Sequence, residues 1–202
     1  MGAAASKPAI SDLAQRLCVR CGLCCDGTLF NRGRILPEDD PAQLAANGFI
    51  LISTARRTGF LQPCLHHQQG ICTIYRQRRP QVCHTFRCAL LRRFDAGELS
   101  LEAVQARIER ALALAGRIQA QLPAQSKHER QSLKQRMAVW QQAQASAGVD
   151  MRGAFAPLLL DFASLQRLLD QHFRLRPKQE RADAMSAPDT ERFTAQQGAE
   201  HA

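Results

Sequence analysis

From Leu101 onward the chain settles into a helical rhythm. Leu101, Val104, Ile108, Leu112, Ala115 and Ile118 recur at steps of three or four and place an apolar stripe on one face, while Glu102, Arg107, Glu109, Arg110 and Arg117 occupy the others. Pro123 stops that helix. Ser126-Lys-His-Glu129 has the spacing of a capping box and predicts a second helix carrying Leu133, Met137 and Trp140, ending near Gly148. A third is predicted from about Pro157 to His172, with Leu158, Phe162, Leu165, Leu169 and Phe173 on its inner face. Such stripes are packing surfaces rather than ligand sites. After Pro177 the chain is polar, rich in Gln, Glu and Ala and without periodicity, the composition of a disordered tail.

Before Gly97 the pattern is different. Gly22, Gly27, Gly33, Pro37, Pro41, Gly48, Gly59, Pro63, Gly70 and Pro80 break the segment so often that only short helices and turns fit between them. Pro41 to Asn47, ending at Gly48, predicts a short helix, and Phe49-Ile-Leu-Ile52 is the one plausible strand. The expected fold class is mainly α: a small cysteine-rich, metal-stabilised domain of short helices and loops, followed by a helical extension of about three helices. The expected boundaries are a flexible N-terminus over residues 1–13, the cysteine-cluster domain over 14–95, the helical extension over 96–176 and the tail over 177–202. No internal repeat is present.

The cysteines change this picture from a fold to a chemistry. All eight lie between Cys18 and Cys88, as Cys18-Val-Arg-Cys21-Gly-Leu-Cys24-Cys25, then Cys64, Cys72, Cys83 and Cys88. Dense cysteines belong either to disulfide frameworks of small secreted domains or to metal sites. Met1 to Pro8 has no apolar signal-peptide core behind it, and no stretch approaches the ~18 apolar residues of a transmembrane helix. A reducing, cytoplasmic setting and metal coordination are therefore expected. Gly2 followed by Ser6 satisfies the minimal N-myristoylation pattern, but no polybasic second signal follows it.

The net charge of +9 and pI near 9.6 raise nucleic acid as a partner. Two features point to a more local use of the charge. Residues 1–95 hold twelve arginines against six acidic residues, and Arg16, Arg20, Arg76, Arg78, Arg79 and Arg87 stand close to cysteines in sequence. Guanidinium groups there favour thiolates and offset the negative charge of a four-thiolate metal site. One Trp and one Tyr also leave little for stacking on bases. No Ser/His/Asp constellation, Walker loop or GxGxxG motif is present.

A CxxC pair presents two thiolates to one ion, which is why the spacing recurs in structural zinc sites. Cys18, Cys21 and Cys24 extend it to CxxCxxC, the first three ligands of a bacterial ferredoxin cluster, but Thr28 stands where the fourth cysteine belongs. Adjacent side chains in an extended segment diverge, so Cys24 and Cys25 suit two different ions or one multinuclear centre. The spacing leaves both arrangements open.

The string CxxCGxCC, then Pro63-Cys64-Leu65, Gly70-Ile-Cys72-Thr-Ile-Tyr75, Arg78-Arg-Pro80-Gln-Val-Cys83 and Phe86-Arg-Cys88, resembles the YkgJ-type cysteine-cluster family, a CxxCxxCC domain associated with zinc or iron chelation. The resemblance covers about residues 14–95. It implies metal ligation by Cys18, Cys21, Cys24, Cys25, Cys64, Cys72, Cys83 and Cys88, with zinc or iron as the cofactor and an iron-sulfur cluster as a variant of the latter. His84 departs from the family's more usual arginine; it is a substitute ligand, an outer donor or a tolerated change. His66 and His67 lie close enough to Cys64 and Cys72 to replace a cysteine, although eight thiolates already fill two tetrahedral sites, which favours a polar loop. Tyr75 is expected to cover the cluster rather than to react.

Two function classes follow. One is a chelating or structural module, in metal handling or assembly of a protein partner. The other is an enzyme, either an iron-sulfur oxidoreductase or an accessory factor in protein modification, because the domain resembles one found in flagellin lysine methylases. Zinc-dependent nucleic-acid binding is a third and weaker reading. The residues name no catalytic group and no substrate.

Overall fold

The computed structural model describes residues 12–54, 57–124 and 130–175. Its architecture is mainly α. In chain order the elements are α1 (Asp12–Cys21), β1 (Arg32–Arg34), α2 (Pro41–Ala46), β2 (Leu51–Thr54), β3 (Arg57–Leu61), β4 (His67–Gln68), β5 (Ile71–Cys72), α3 (Val82–Thr85), α4 (Ala89–Asp95), α5 (Leu101–Gln121), α6 (Leu133–Ser146), α7 (Met151–Ala154) and α8 (Ala156–His172).

The long helix α5 is capped by Ser100, whose hydroxyl accepts the Ala103 N–H at 3.2 Å. It buries Val104, Ile108, Ala111, Leu114, Ala115 and Ile118. Leu112, expected on the inner stripe, is 37% exposed. At ~100° per residue it stands to one side of Ala111 and Ala115, and Leu114 fills the seam instead. The partner is α8, which enters through Pro157 in its first turn and buries Leu158, Leu165, Leu168 and Leu169. Arg117 clamps the pair from outside, its Nε and Nη2 each donating to an oxygen of the Asp161 carboxylate at 2.8 Å.

Helix α6 carries the expected Leu133, Met137 and Trp140 on its buried side. Its capping box is Ser132 with Gln135, each side chain serving the other's backbone. The Ser126–Glu129 box lies outside the described residues, as do the N-myristoylation pattern at Gly2 and the expected tail after Pro177. The edge of Trp140 meets the ring of Phe155 at 4.8 Å.

Apolar residues from both sides of Asp95 share one core. Ala14 and Leu17 of α1, Leu23, Leu29, Cys88, and Leu90 and Leu91 of α4 join the buried faces of α5, α6 and α8. Burying a Leu or Ile side chain of this kind contributes roughly 1.5–3 kcal/mol. Backbone bonds fasten the same seam, the Ala89 N–H donating to the Phe173 carbonyl at 3.0 Å and the Leu133 N–H to the Gly27 carbonyl at 3.1 Å.

A smaller apolar cluster of Leu44, Phe49 and Phe60 lies beneath an antiparallel sheet ordered β1-β3-β2. Strand β3 pairs with both neighbours, Gly33 facing Phe60 and Leu51 facing Phe60 from the other side. Gly33 is required there, since a Cβ would fall 2.1 Å from the Phe60 ring. The predicted strand at Phe49–Ile52 appears two residues later, as β2. The predicted helix at Pro41 appears as α2, capped by the Asp40 carboxylate and followed by Gly48 at φ +83°.

Candidate metal centre

Cys18 and Cys21 stand one helical turn apart at the end of α1, on the same side of it. Gly22, at φ +62°, ends the helix in the left-handed conformation that glycine adopts without steric cost. The chain then folds back on itself: the N–H groups of Cys25 and Asp26 both donate to the Gly22 carbonyl, at 2.7 and 3.0 Å. Cys24 and Cys25 therefore sit in a compact turn, not in the extended segment that divergent side chains presuppose.

The remaining ligand candidates arrive from three other segments. Cys64 follows the cis peptide Gln62–Pro63, and its N–H donates to the Cys25 carbonyl at 2.7 Å. Cys72 belongs to the hairpin β4–β5, whose two-residue turn, Gln69 at φ +50° and Gly70 at φ +78°, has the positive angles of a type I′ connection. Cys83 lies on the short α3, and Cys88 immediately precedes α4. All eight cysteines are free of disulfides.

The thiols fall into two neighbourhoods. Cys21, Cys24 and Cys88 pack against the main apolar core, and with Cys18 and Cys25 they line a cavity of about 40 Å³ floored by Leu17. Cys64 packs instead against the smaller cluster with Phe49 and Phe60. Electrostatic proximity follows the same division: Cys24 senses Cys88, Cys18 and Cys21 before Cys25, whereas Cys25 senses Cys83 and Cys64 first, with Cys72 also in range. Cys83 in turn senses Cys64 and Cys72. Cys18 and the Cys24–Cys25 junction connect the groups.

Burial dominates the thiol chemistry. Desolvation pushes Cys21 up to about 12, against the opposing pull of the Leu23 amide. It raises Cys83 to about 12 and Cys88 to about 11, and drives Cys24 and Cys25 upward as well. Cys18 and Cys83 belong to partly exposed residues, yet desolvation remains the largest influence on both, with the Arg79 guanidinium lowering each. Without a cation these thiols stay protonated at neutral pH; a bound cation supplies the charge that stabilises the thiolates.

Soft, unbridged donors, most of them half-buried, come from several segments, and that donor chemistry fits zinc or iron. Among the described residues no three His, Cys, Asp or Glu side chains already stand in an arrangement that holds an ion. Ligation requires the thiols to close inward.

The histidines next to the cysteines have separate surroundings. His66 faces outward, its Nε2 3.0 Å from the Asn47 carbonyl and its ring 5.0 Å from that of Phe49. Nδ1 of His84 lies 3.2 Å from Nη2 of Arg79, whose guanidinium stacks 4.1 Å from the centre of the Tyr75 ring. The Tyr75 hydroxyl is hydrogen-bonded to the Gln15 amide of α1. His67 is different: its Nε2 is buried and has no hydrogen-bond partner. Sequence reasoning did not single out Arg130, which donates to the Pro63 carbonyl at 3.2 Å and partly opposes the rise that burial imposes on the Cys64 thiol. Its distance along the chain hides that relation.

Together these features define a cysteine-cluster, metal-binding protein. Residues 17–108 match the model of the CxxCxxCC family, described as "Putative zinc- or iron-chelating domain". The chain matches no curated protein and no solved structure. Among the described residues no helix is long and apolar enough to cross a membrane.

Proposed function

We propose that the chain holds zinc or iron through all eight cysteines, divided into two four-thiolate centres. Cys18, Cys21, Cys24 and Cys88 supply the first; Cys25, Cys64, Cys72 and Cys83 supply the second. The observation that carries this reading is that Cys21, Cys24 and Cys88 pack on the main apolar core while Cys64 packs on the smaller cluster, with Cys25 influenced most by Cys83 and Cys64 among the other thiols. Four thiolates complete a tetrahedral zinc ion or a four-iron cluster, and iron in either centre adds one-electron redox chemistry.

Each centre has one exposed ligand, Cys18 in the first and Cys83 in the second. The first is also packed on the main apolar core through Cys21, Cys24 and Cys88, which suits a fixed, structural or electron-holding site. Exposure at Cys83 suits delivery or exchange of metal with a partner protein. The role is thus that of a chelating module, whose metal-bearing part, residues 14–95, is seated on the helical extension of residues 96–176. A cytoplasmic, reducing setting is part of the proposal, because free thiols persist there.

Metal analysis on anaerobically purified protein tests it. About two zinc ions per chain without visible colour, or brown protein with iron and acid-labile sulfide, supports two centres. Protein that purifies metal-free and takes up neither zinc nor iron refutes the reading.

A further inference from the structure

We propose that His67 is a positioning residue of the metal centre, donating its Nε2–H to a ligating thiolate once the thiols close on metal. The inference rests on the two-centre reading above. Its starting point is the buried Nε2 with no hydrogen-bond partner. Such atoms are rare in folded proteins and call for an explanation, an ion or its ligand shell among them.

Geometry aims that nitrogen into the cysteine loop. In the antiparallel register His67 stands opposite Cys72, so the two side chains project from the same face of the hairpin. Across from the hairpin is Gly22, inside the Cys21–Cys24 spacer. A Cβ on Gly22 would lie 2.6 Å from Nε2 and 2.8 Å from Cε1 of His67, so the imidazole occupies the hollow that the glycine leaves. The ring is therefore held between a second-centre cysteine on its own hairpin and the first-centre loop in front of it.

Eight thiolates already fill two four-coordinate centres, so the histidine meets no vacant ligand position. A closed four-thiolate centre nevertheless carries excess negative charge, and its sulfurs accept hydrogen bonds. An imidazole N–H satisfies that need and removes the orphaned donor in one contact. His66 and His84 are placed differently, one ring nitrogen of each being engaged already, by the Asn47 carbonyl and by Arg79.

The test uses the full chain loaded anaerobically with cobalt(II), a coloured probe of thiolate sites. His67→Leu is expected to keep cobalt stoichiometry, shift the thiolate-to-cobalt absorption to lower energy, and lose roughly 10- to 100-fold in affinity against a competing chelator. His67→Gln, which keeps an N–H donor, is expected to recover most of both. Pulsed EPR on the wild type is expected to show weak histidine-nitrogen coupling. Unchanged absorption and affinity in His67→Leu, or no nitrogen coupling, overturns the proposal. Strong coupling with loss of one cobalt in the variant also overturns it, by making His67 a ligand. If His67→Leu does not fold, the wild-type coupling decides. Failure of the wild type to bind cobalt refutes the two-centre reading and this role with it.

Discussion

The backbone N–H of Cys64 donates to the carbonyl of Cys25 at 2.7 Å, so two cysteines almost forty positions apart are joined main chain to main chain. This bond does not depend on metal or on either thiol. It brings Cys64 beside Cys25, the two residues that open the proposed second centre. Cys25→Ser and Cys64→Ser are accordingly expected to lose the same half of the bound metal, while Cys24→Ser and Cys88→Ser lose the other half, because a hydroxyl is a poor substitute for a soft thiolate. Metal counted per chain in the four variants checks this. Loss of all metal in every single variant would instead indicate one multinuclear centre.

Metal removal is expected to act unevenly. Residues 12–29 and 88–91 contribute Leu17, Leu23, Leu29, Leu90 and Leu91 to the main core and are held by apolar packing as well as by ligands. The intervening segment relies on the small cluster of Leu44, Phe49 and Phe60, too little for independent stability, so its metal affinity acts as folding free energy. Chelation should open new protease sites between residues 31 and 87 while the helical circular dichroism of α5, α6 and α8 largely persists. A cleavage pattern unchanged after verified metal removal would contradict this.

The helical half was legible because packing there obeys a period. Val104, Ile108, Ala115 and Ile118 declare the inner face of α5, and Pro157 declares the start of α8. Helix α1 was not legible, because its apolar positions, Leu13, Ala14 and Leu17, are too few to outweigh the cysteines that follow. Strand β3 contains Gly59 and lacks alternation, and its pairing with β1 and β2 is set by contacts distant in sequence. The cysteine pattern pointed to metal binding, the chemistry that the family match describes. Which thiols neighbour which depends on the turn at Gly22 and on the Cys25–Cys64 bond, which residue types alone do not specify.

Acidity offers a separate check. In the metal-free chain burial raises the Cys88 thiol to about 11 and that of Cys21 to about 12, both in the part that apolar packing holds. The fold thus favours the neutral thiol. That contribution is fully present below the ordinary thiol pKa and is lost as pH rises through these folded values. Thermal stability of the metal-free protein should therefore fall between about pH 9 and pH 12. Metal-loaded protein should behave oppositely, because each ligand must shed a proton before it binds. Chelator competition should show affinity falling as pH drops, by up to about four decades per pH unit for a four-thiolate centre. A flat profile near neutrality would mean that the thiols are not the ligands.

Gly22 connects the helix end, the cysteine turn and His67, and its replacement tests all three. At φ +62° an L residue is disfavoured by roughly 1–2 kcal/mol, and the alanine methyl would also overlap the His67 ring, whose Nε2 lies 2.6 Å from the Cβ position. Relief requires turning that imidazole or moving β4–β5, and with it Cys72. Gly22→Ala is expected to lower the melting temperature of the loaded protein and to weaken the second centre more than the first, even though no ligand has changed. Gly116→Ala is the matching control: it lies within α5 with nothing within 4 Å of its Cβ position, and should be stabilising by about 0.5–1 kcal/mol. Thermal melts combined with metal counts separate the two effects. Equal behaviour of the two variants would mean that the Gly22 turn and its contact with His67 do not govern assembly of the site.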